Sequence, residues 1–92
     1  MPHTHIVKRR EGHTETYDNH KVYASCYAAC INTHISKLDA EKICAEVMGR
    51  IDQWIDGRES VTSQEIFEET TKVLAEHNKD AAFLYETHRD IS

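Results

Sequence analysis

Residues that interrupt helices are scarce in this sequence, with one proline and three glycines among 92 residues. Many short strands joined by tight turns are thereby excluded, and long helices are favoured. No apolar run approaches the roughly 20 residues that cross a bilayer. The opening Met1-Pro2-His3-Thr4-His5 also lacks the apolar core of a secretory signal, so a cytoplasmic protein with no membrane attachment is expected. Cysteine is sparse and odd in number. Cys26, Cys30 and Cys44 cannot form the even disulfide framework of a small secreted domain, and a reducing compartment fits them better. Positive charge is short as well: the formal net charge is -5. Proteins that bind nucleic acid without regard to sequence draw most of their affinity from cations on phosphates, so such binding is disfavoured. The G-x-S-x-G, H-E-x-x-H and P-loop motifs are all missing, so no catalytic residue is assigned and the chain does not read as an enzyme.

What is present is enough for one small domain. The chain is 39% apolar and 29% charged, a globular balance, and a second core would leave nothing for the first to bury. Residues 1–4 read as a flexible tail and 5–91 as a single domain. The fold class expected is α+β, mostly α: a small N-terminal β-hairpin packed on a four-helix bundle. His5 to Arg9 and His13 to Asp18 supply the two strands, and Arg10-Glu11-Gly12 the turn between them. Asp18 or Asn19 then caps a helix with the stripe Val22, Cys26, Ala29, Cys30, Thr33. Ser36 opens a long core helix, with Asp39 in the third position of a capping box. Its stripe is Ala40, Ile43, Cys44, Val47, Met48, Ile51, Trp54, Ile55, and Gly57 takes the left-handed position after it. A loop, Arg58-Glu59-Ser60-Val61, leads to Thr62, which forms a capping box with Glu65. The third helix has Ile66, Thr70, Val73, Leu74 and His77 on one face and ends near Asn78. Asp80 caps a last helix whose inward set is Ala81, Leu84, Tyr85 and His88.

Three groups of residues invite a functional reading. All three cysteines fall on inward helical stripes. They read as small buried hydrophobes in preference to metal ligands, although Cys26 and Cys30 have ligand-compatible i, i+4 spacing. Tyr23, Tyr27, Trp54, Phe67 and Phe83 exceed what thin helical stripes require, so they either pack around the core edge or serve a subunit contact or ligand face. The third group is basic. Residues 1–21 hold Lys8, Arg9, Arg10 and Lys21 against Glu11, Glu15 and Asp18, a net +1, which leaves -6 on the rest of the chain. Cations gathered at one end of an acidic body suit a small anion better than a long polyanion, the alternative being a solvated strand end. A hairpin can turn Lys8 toward the start of the first helix, where free backbone N–H groups and the helix dipole attract phosphate and Lys21 adds charge. Val7 and Val22 supply apolar cover for a base or ribose.

The order Ile6-Val7-Lys8-Arg9, Gly12, Tyr17-Asp18-Asn19-His20-Lys21-Val22 resembles the ATP-cone domain, the allosteric ATP/dATP-binding module of ribonucleotide reductases and of their transcriptional repressor. Ser60-Val61-Thr62-Ser63-Gln64-Glu65-Ile66 and Ala81-Ala82-Phe83-Leu84-Tyr85 before Arg89 extend the resemblance over about residues 5 to 90. The resemblance implies that Lys8 and Arg9 hold phosphates with Val7 beside them, and that Lys21 reaches phosphate or ribose. It also implies that Val22 lines the base and that Ser63 lies near it. ATP or dATP with Mg²⁺ is the implied ligand, and a change in self-association or in a partner protein the implied output, here from a free-standing cone. The alternative is a helical interaction or oligomerisation module that keeps the fold without the nucleotide. Two departures from the family pattern stand out: the turn Arg10-Glu11-Gly12 is one residue longer, and Phe67 replaces a polar residue found in some cones.

Overall fold

A computed structural model describes residues 6–8 and 14–87, and for 6–8 and 14–16 the backbone alone is considered. The order is β1 (Ile6–Lys8), β2 (Thr14–Thr16), α1 (Asn19–Asn32), α2 (Lys37–Ile55), β3 (Ser60–Thr62), α3 (Ser63–His77) and α4 (Lys79–Thr87). Four helices dominate, as their periodic stripes predict. None of them is long and apolar enough to cross a membrane among the described residues.

The helix starts follow from side chains that compete for the first backbone N–H groups. Asp18 accepts from the His20 N–H at 3.0 Å, and Ser36 accepts from the Asp39 N–H at 3.2 Å. The α3 start has both halves of a capping box, with the Glu65 N–H donating to Thr62 Oγ1 (3.0 Å) and the Thr62 N–H to Glu65 Oε1 (2.9 Å). At α4 the cap is Asn78 and not Asp80: Asn78 Oδ1 accepts from the Ala81 N–H at 2.8 Å, which starts the helix at Lys79 and puts Asp80 in its first turn.

The helix ends are equally local. The Ile35 N–H donates to the Cys30 carbonyl and the His34 N–H to that of Ile31, a Schellman closure of α1 that puts His34 at φ 67°. After α2, Gly57 adopts φ 92°. Arg58 folds back there, donating from Nε to the Trp54 carbonyl (3.1 Å) and holding its guanidinium 4.4 Å from the Trp54 ring centroid. A cation at this end opposes the helix dipole and gains from the ring face.

The helices pack as a ring, α1 on α2, α2 on α3, α3 on α4 and α4 back on α1. Its interior holds Val22, Cys26, Cys30, Ala40, Cys44, Val47, Ile51, Ile55, Ile66, Val73, Leu74 and Ala81. Each large aliphatic side chain removed from water contributes about 1.5–3 kcal/mol before the entropy of ordering it is subtracted. The expected stripes are correct at their centres and too wide at their edges. Ile43, Met48 and Trp54 are half-buried and His77 is exposed, because each sits on the flank of its helix. Across these flanks Arg50 and Glu76 form an exposed ion pair at 3.2 Å, of a kind that contributes little, and His77 Nε2 lies 3.3 Å from Glu46 Oε1.

The principal correction concerns residues 60–62. The sequence places Ser60 and Val61 at the end of a loop and Thr62 at a helix cap; Thr62 does cap α3, but all three residues also form a strand parallel to β1. The sheet order is β2-β1-β3, with β1 antiparallel to β2 and parallel to β3. A three-residue strand carries no period of its own, and a parallel partner 54 positions away leaves no local signal. Val61 is buried at the centre of β3 and joins the sheet to the helical core. The tail at 1–4, the turn at 10–12, Arg9 and His88 lie outside the described residues.

Candidate functional site

The sheet brings distant parts of the chain to the start of α3. In the β1–β3 ladder Val7 stands opposite Val61 and Lys8 opposite Thr62, while on the other side Lys8 stands opposite Thr14. Thr62 is the N-cap of α3 and Ser63 its first residue, so the backbone at Lys8 is one strand spacing from that helix start. Two of the expected site residues, Lys8 on β1 and Ser63 at the start of α3, are thus brought to the same end of the fold although 55 positions separate them in the chain. Arg9, which follows Lys8, lies outside the described residues.

The start of α1 is built around Asp18. Its carboxylate accepts from the His20 backbone N–H and lies 3.2 Å from His20 Nδ1. The Lys21 N–H donates to the Asp18 carbonyl at 3.2 Å. The bond from the His20 backbone N–H holds the Asp18 carboxyl below its ordinary range, so it is anionic at neutral pH. This corrects one element of the anion-site argument. The N–H groups of His20 and Lys21 are already engaged, and the N-cap Asp18 places a negative charge at this helix start. The start of α3 is similarly occupied by Thr62 and Glu65. Attraction for phosphate at this end therefore has to come from lysine and arginine side chains more than from the helix termini.

Lys21 is exposed on the first turn of α1, and Ser63 is exposed at the start of α3. Val22 is 7% exposed and belongs to the core, so it lies beneath the surface that Lys21 occupies. Phe67, the departure noted in α3, stacks on Tyr85 of α4 with ring centroids 5.3 Å apart and planes 15° apart. Its ring is committed to holding α3 against α4.

Asp52 is a residue of this region that the sequence reading passed over. It is half-buried on α2, accepting from Tyr17 Oη at 3.1 Å and from Asn19 Nδ2 at 3.3 Å. The pair of bonds fixes the link between β2 and α1 onto α2. Burial, and next the charge of Asp52, push the Tyr17 phenol well above its ordinary value, so it stays protonated as a donor. The available signal was an acid immediately after Ile51, next to the buried stripe and not opposite it.

The three cysteines are fully buried, as their stripes predict. The structure adds that they converge, with all three sulfurs within 4.8 Å of one another. A hydrogen bond to Cys44, and then burial, push the Cys26 thiol up. Burial pushes the Cys30 thiol up to about 12, and S–H donation from Cys26 holds that of Cys44 down. Proton sharing among sulfurs follows from their proximity in an apolar interior.

The backbone at the sheet end thus sets β1 beside the start of α3, with Ser63 exposed there and Val61 buried beneath the sheet, while Lys21 is exposed on the first turn of α1. No curated protein and no solved structure matches the chain. A sequence profile of the family described as the ATP cone domain matches residues 5–91, nearly the whole length, and the chain belongs to that family.

Proposed function

We propose that this ATP cone binds ATP or dATP at the sheet end, with Lys8, Arg9 and Lys21 holding the phosphates, and that occupancy alters self-association or the grip on a partner protein. The reading starts from family membership, which implies a nucleotide-binding regulatory module and not a catalyst. The observation that carries it to this end of the molecule is the register of Lys8 opposite Thr62, beside the start of α3. An N-terminal hairpin formed by β1 and β2 completes the cradle, Ser63 reaches the base or ribose, and Val7 forms the apolar wall, with Val22 as core support beneath Lys21. Mg²⁺ shared by the phosphates lowers their charge beside Asp18 and Glu65. The output requires that two assemblies differ in their affinity for ATP and dATP, since equal affinity shifts no equilibrium. A cytoplasmic setting, where these nucleotides are abundant, suits the role.

Calorimetric titration with ATP and with dATP at modest salt tests it directly. Binding at one or two nucleotides per chain is expected, weakened about tenfold or more by Lys8→Ala or Lys21→Ala, in line with the loss of a charge-assisted contact. Absence of heat together with an unmoved melting temperature rejects the reading. A second reading, an interaction module that works without nucleotide, is favoured by the exposure of Leu38 (65%) and Phe83 (64%). It predicts a dimer or complex by light scattering that neither nucleotide nor the lysine substitutions change.

A further inference from the structure

Cys26 and Cys30 sit one turn apart on α1, and Cys44 comes from α2. Their three sulfurs lie within 4.8 Å of one another and none of the residues is exposed. Zinc–sulfur bonds of about 2.3 Å hold sulfurs roughly 4 Å apart, so small side-chain adjustments suffice to close this triangle on one ion. Two features then select which ion. Among the described residues no further histidine, cysteine or acid joins the cluster, so a fourth protein ligand of the kind structural zinc takes is missing. Apart from the cysteines the buried residues described are aliphatic, with Thr70 their one polar member and no lysine, arginine or histidine among them, and the aromatic side chains that pack on this core are only partly buried. Three thiolates around a monovalent ion leave two negative charges in this interior, and around a divalent ion one. Either is strongly penalised when no cation is near. A trivalent ion leaves none, and its lone pair fills the direction in which a fourth ligand would stand.

We infer that Cys26, Cys30 and Cys44 form a three-sulfur site for a trivalent thiophilic ion of the arsenite class. Neutral arsenous acid supplies the ion without redox chemistry. Three S–H and three As–O bonds break, three As–S bonds form, and each thiol proton leaves with a hydroxyl group as water. Because the sulfurs are buried, α1 and α2 must part locally to admit the ion, so uptake is slow and the bound ion cross-links the two helices. The inference rests on the helical core and is independent of nucleotide binding at the sheet end.

Sodium arsenite added to the reduced full chain tests it. Native mass spectrometry is expected to show one arsenic per chain with three protons lost, and X-ray absorption three As–S bonds with no As–O bond. At a hundredfold excess over the dissociation constant the melting temperature rises by about 10 °C or more. Cys26→Ala and Cys44→Ser each weaken retention about tenfold or more, with circular dichroism confirming that the variants fold. The absorption spectrum of the unaltered chain decides the matter even if they do not. No retained arsenic, As–O bonds persisting in the spectrum, or Zn²⁺ displacing arsenic from the same sulfurs would overturn the assignment.

Discussion

The helical ring and the sheet at its end are held by different means. Every helix of the ring is opened by a capping side chain within three residues of the N–H it serves, and stripes of four to five buried residues set the faces of α1, α2 and α3. Among the described residues the sheet consists of three strands of three residues, and its central strand is held by partners at 14–16 and 60–62. A strand of that length has no independent stability. It depends on the ring for a surface to lie on, through Val61, and on the correct register for its meaning. Stability is thus concentrated in the ring, while the residues proposed for ligand recognition are divided between β1, at Val7 and Lys8, and the first turns of α1 and α3, at Lys21, Val22 and Ser63.

Substitutions that strike one region and spare the other sharpen the contrast. The largest effect is expected for Ile51→Ala, which opens a cavity at the centre of the ring. A loss of about 3–4 kcal/mol in urea unfolding should take most of the stability of so small a domain, and nucleotide binding with it. Tyr17→Phe removes the donor to Asp52 at the junction and should cost about 1–2 kcal/mol. It also changes the alkaline limb. The folded phenol titrates above its ordinary value of 10.0, so its contribution is complete below that pH and is lost as pH rises toward the folded value. Thermal melts from pH 8 to 11 should fall less steeply in the Phe variant. Thr62→Ala deletes the α3 cap beside Lys8 and should cost about 1 kcal/mol by the same denaturant measurement. If its effect on ATP affinity exceeds what that small destabilisation explains, the α3 start belongs to the ligand site. The smallest change has the opposite sign. Gly49 is exposed in the middle of α2 with open space where a side chain would stand, so Gly49→Ala should raise stability by about 0.5–1 kcal/mol and leave nucleotide affinity unaltered.

The same contrast explains what could be read from the sequence. Asp18, Ser36 and the Thr62–Glu65 box announce their helices because a cap and its target are neighbours in the chain. Ala40, Cys44, Val47, Ile51 and Ile55 reveal a buried face because the helical period is local. Asn78 was hidden by Asp80, two residues away and equally able to cap. Strand β3 was not legible, since Ser60-Val61-Thr62 becomes a strand only when residues 6–8 lie beside it. The cysteines show the limit most clearly. Periodicity turned each of them inward, but the meeting of Cys44 with the pair on α1 depends on how two helices are set against each other. For the proposed ligand site, Lys8, Lys21 and Ser63 come from an order of residues that resembles the family, and the fold adds the placement of the Lys8 backbone beside the start of α3. The carboxylate already seated at the α1 start was legible only as a cap, and its effect on a bound anion comes from geometry.

The placement of β1 between β2 and β3 has a consequence for how the molecule comes into being. During synthesis the first strand leaves the ribosome long before its parallel neighbour at 60–62 exists, and until then it can pair on one edge only. Strand β1, made before α1 and α2, is therefore completed only after those helices have had time to coil. A nascent chain stalled before residue 60 would carry recognisable helices and an unfinished sheet, so the proposed ligand site should form abruptly when β3 emerges.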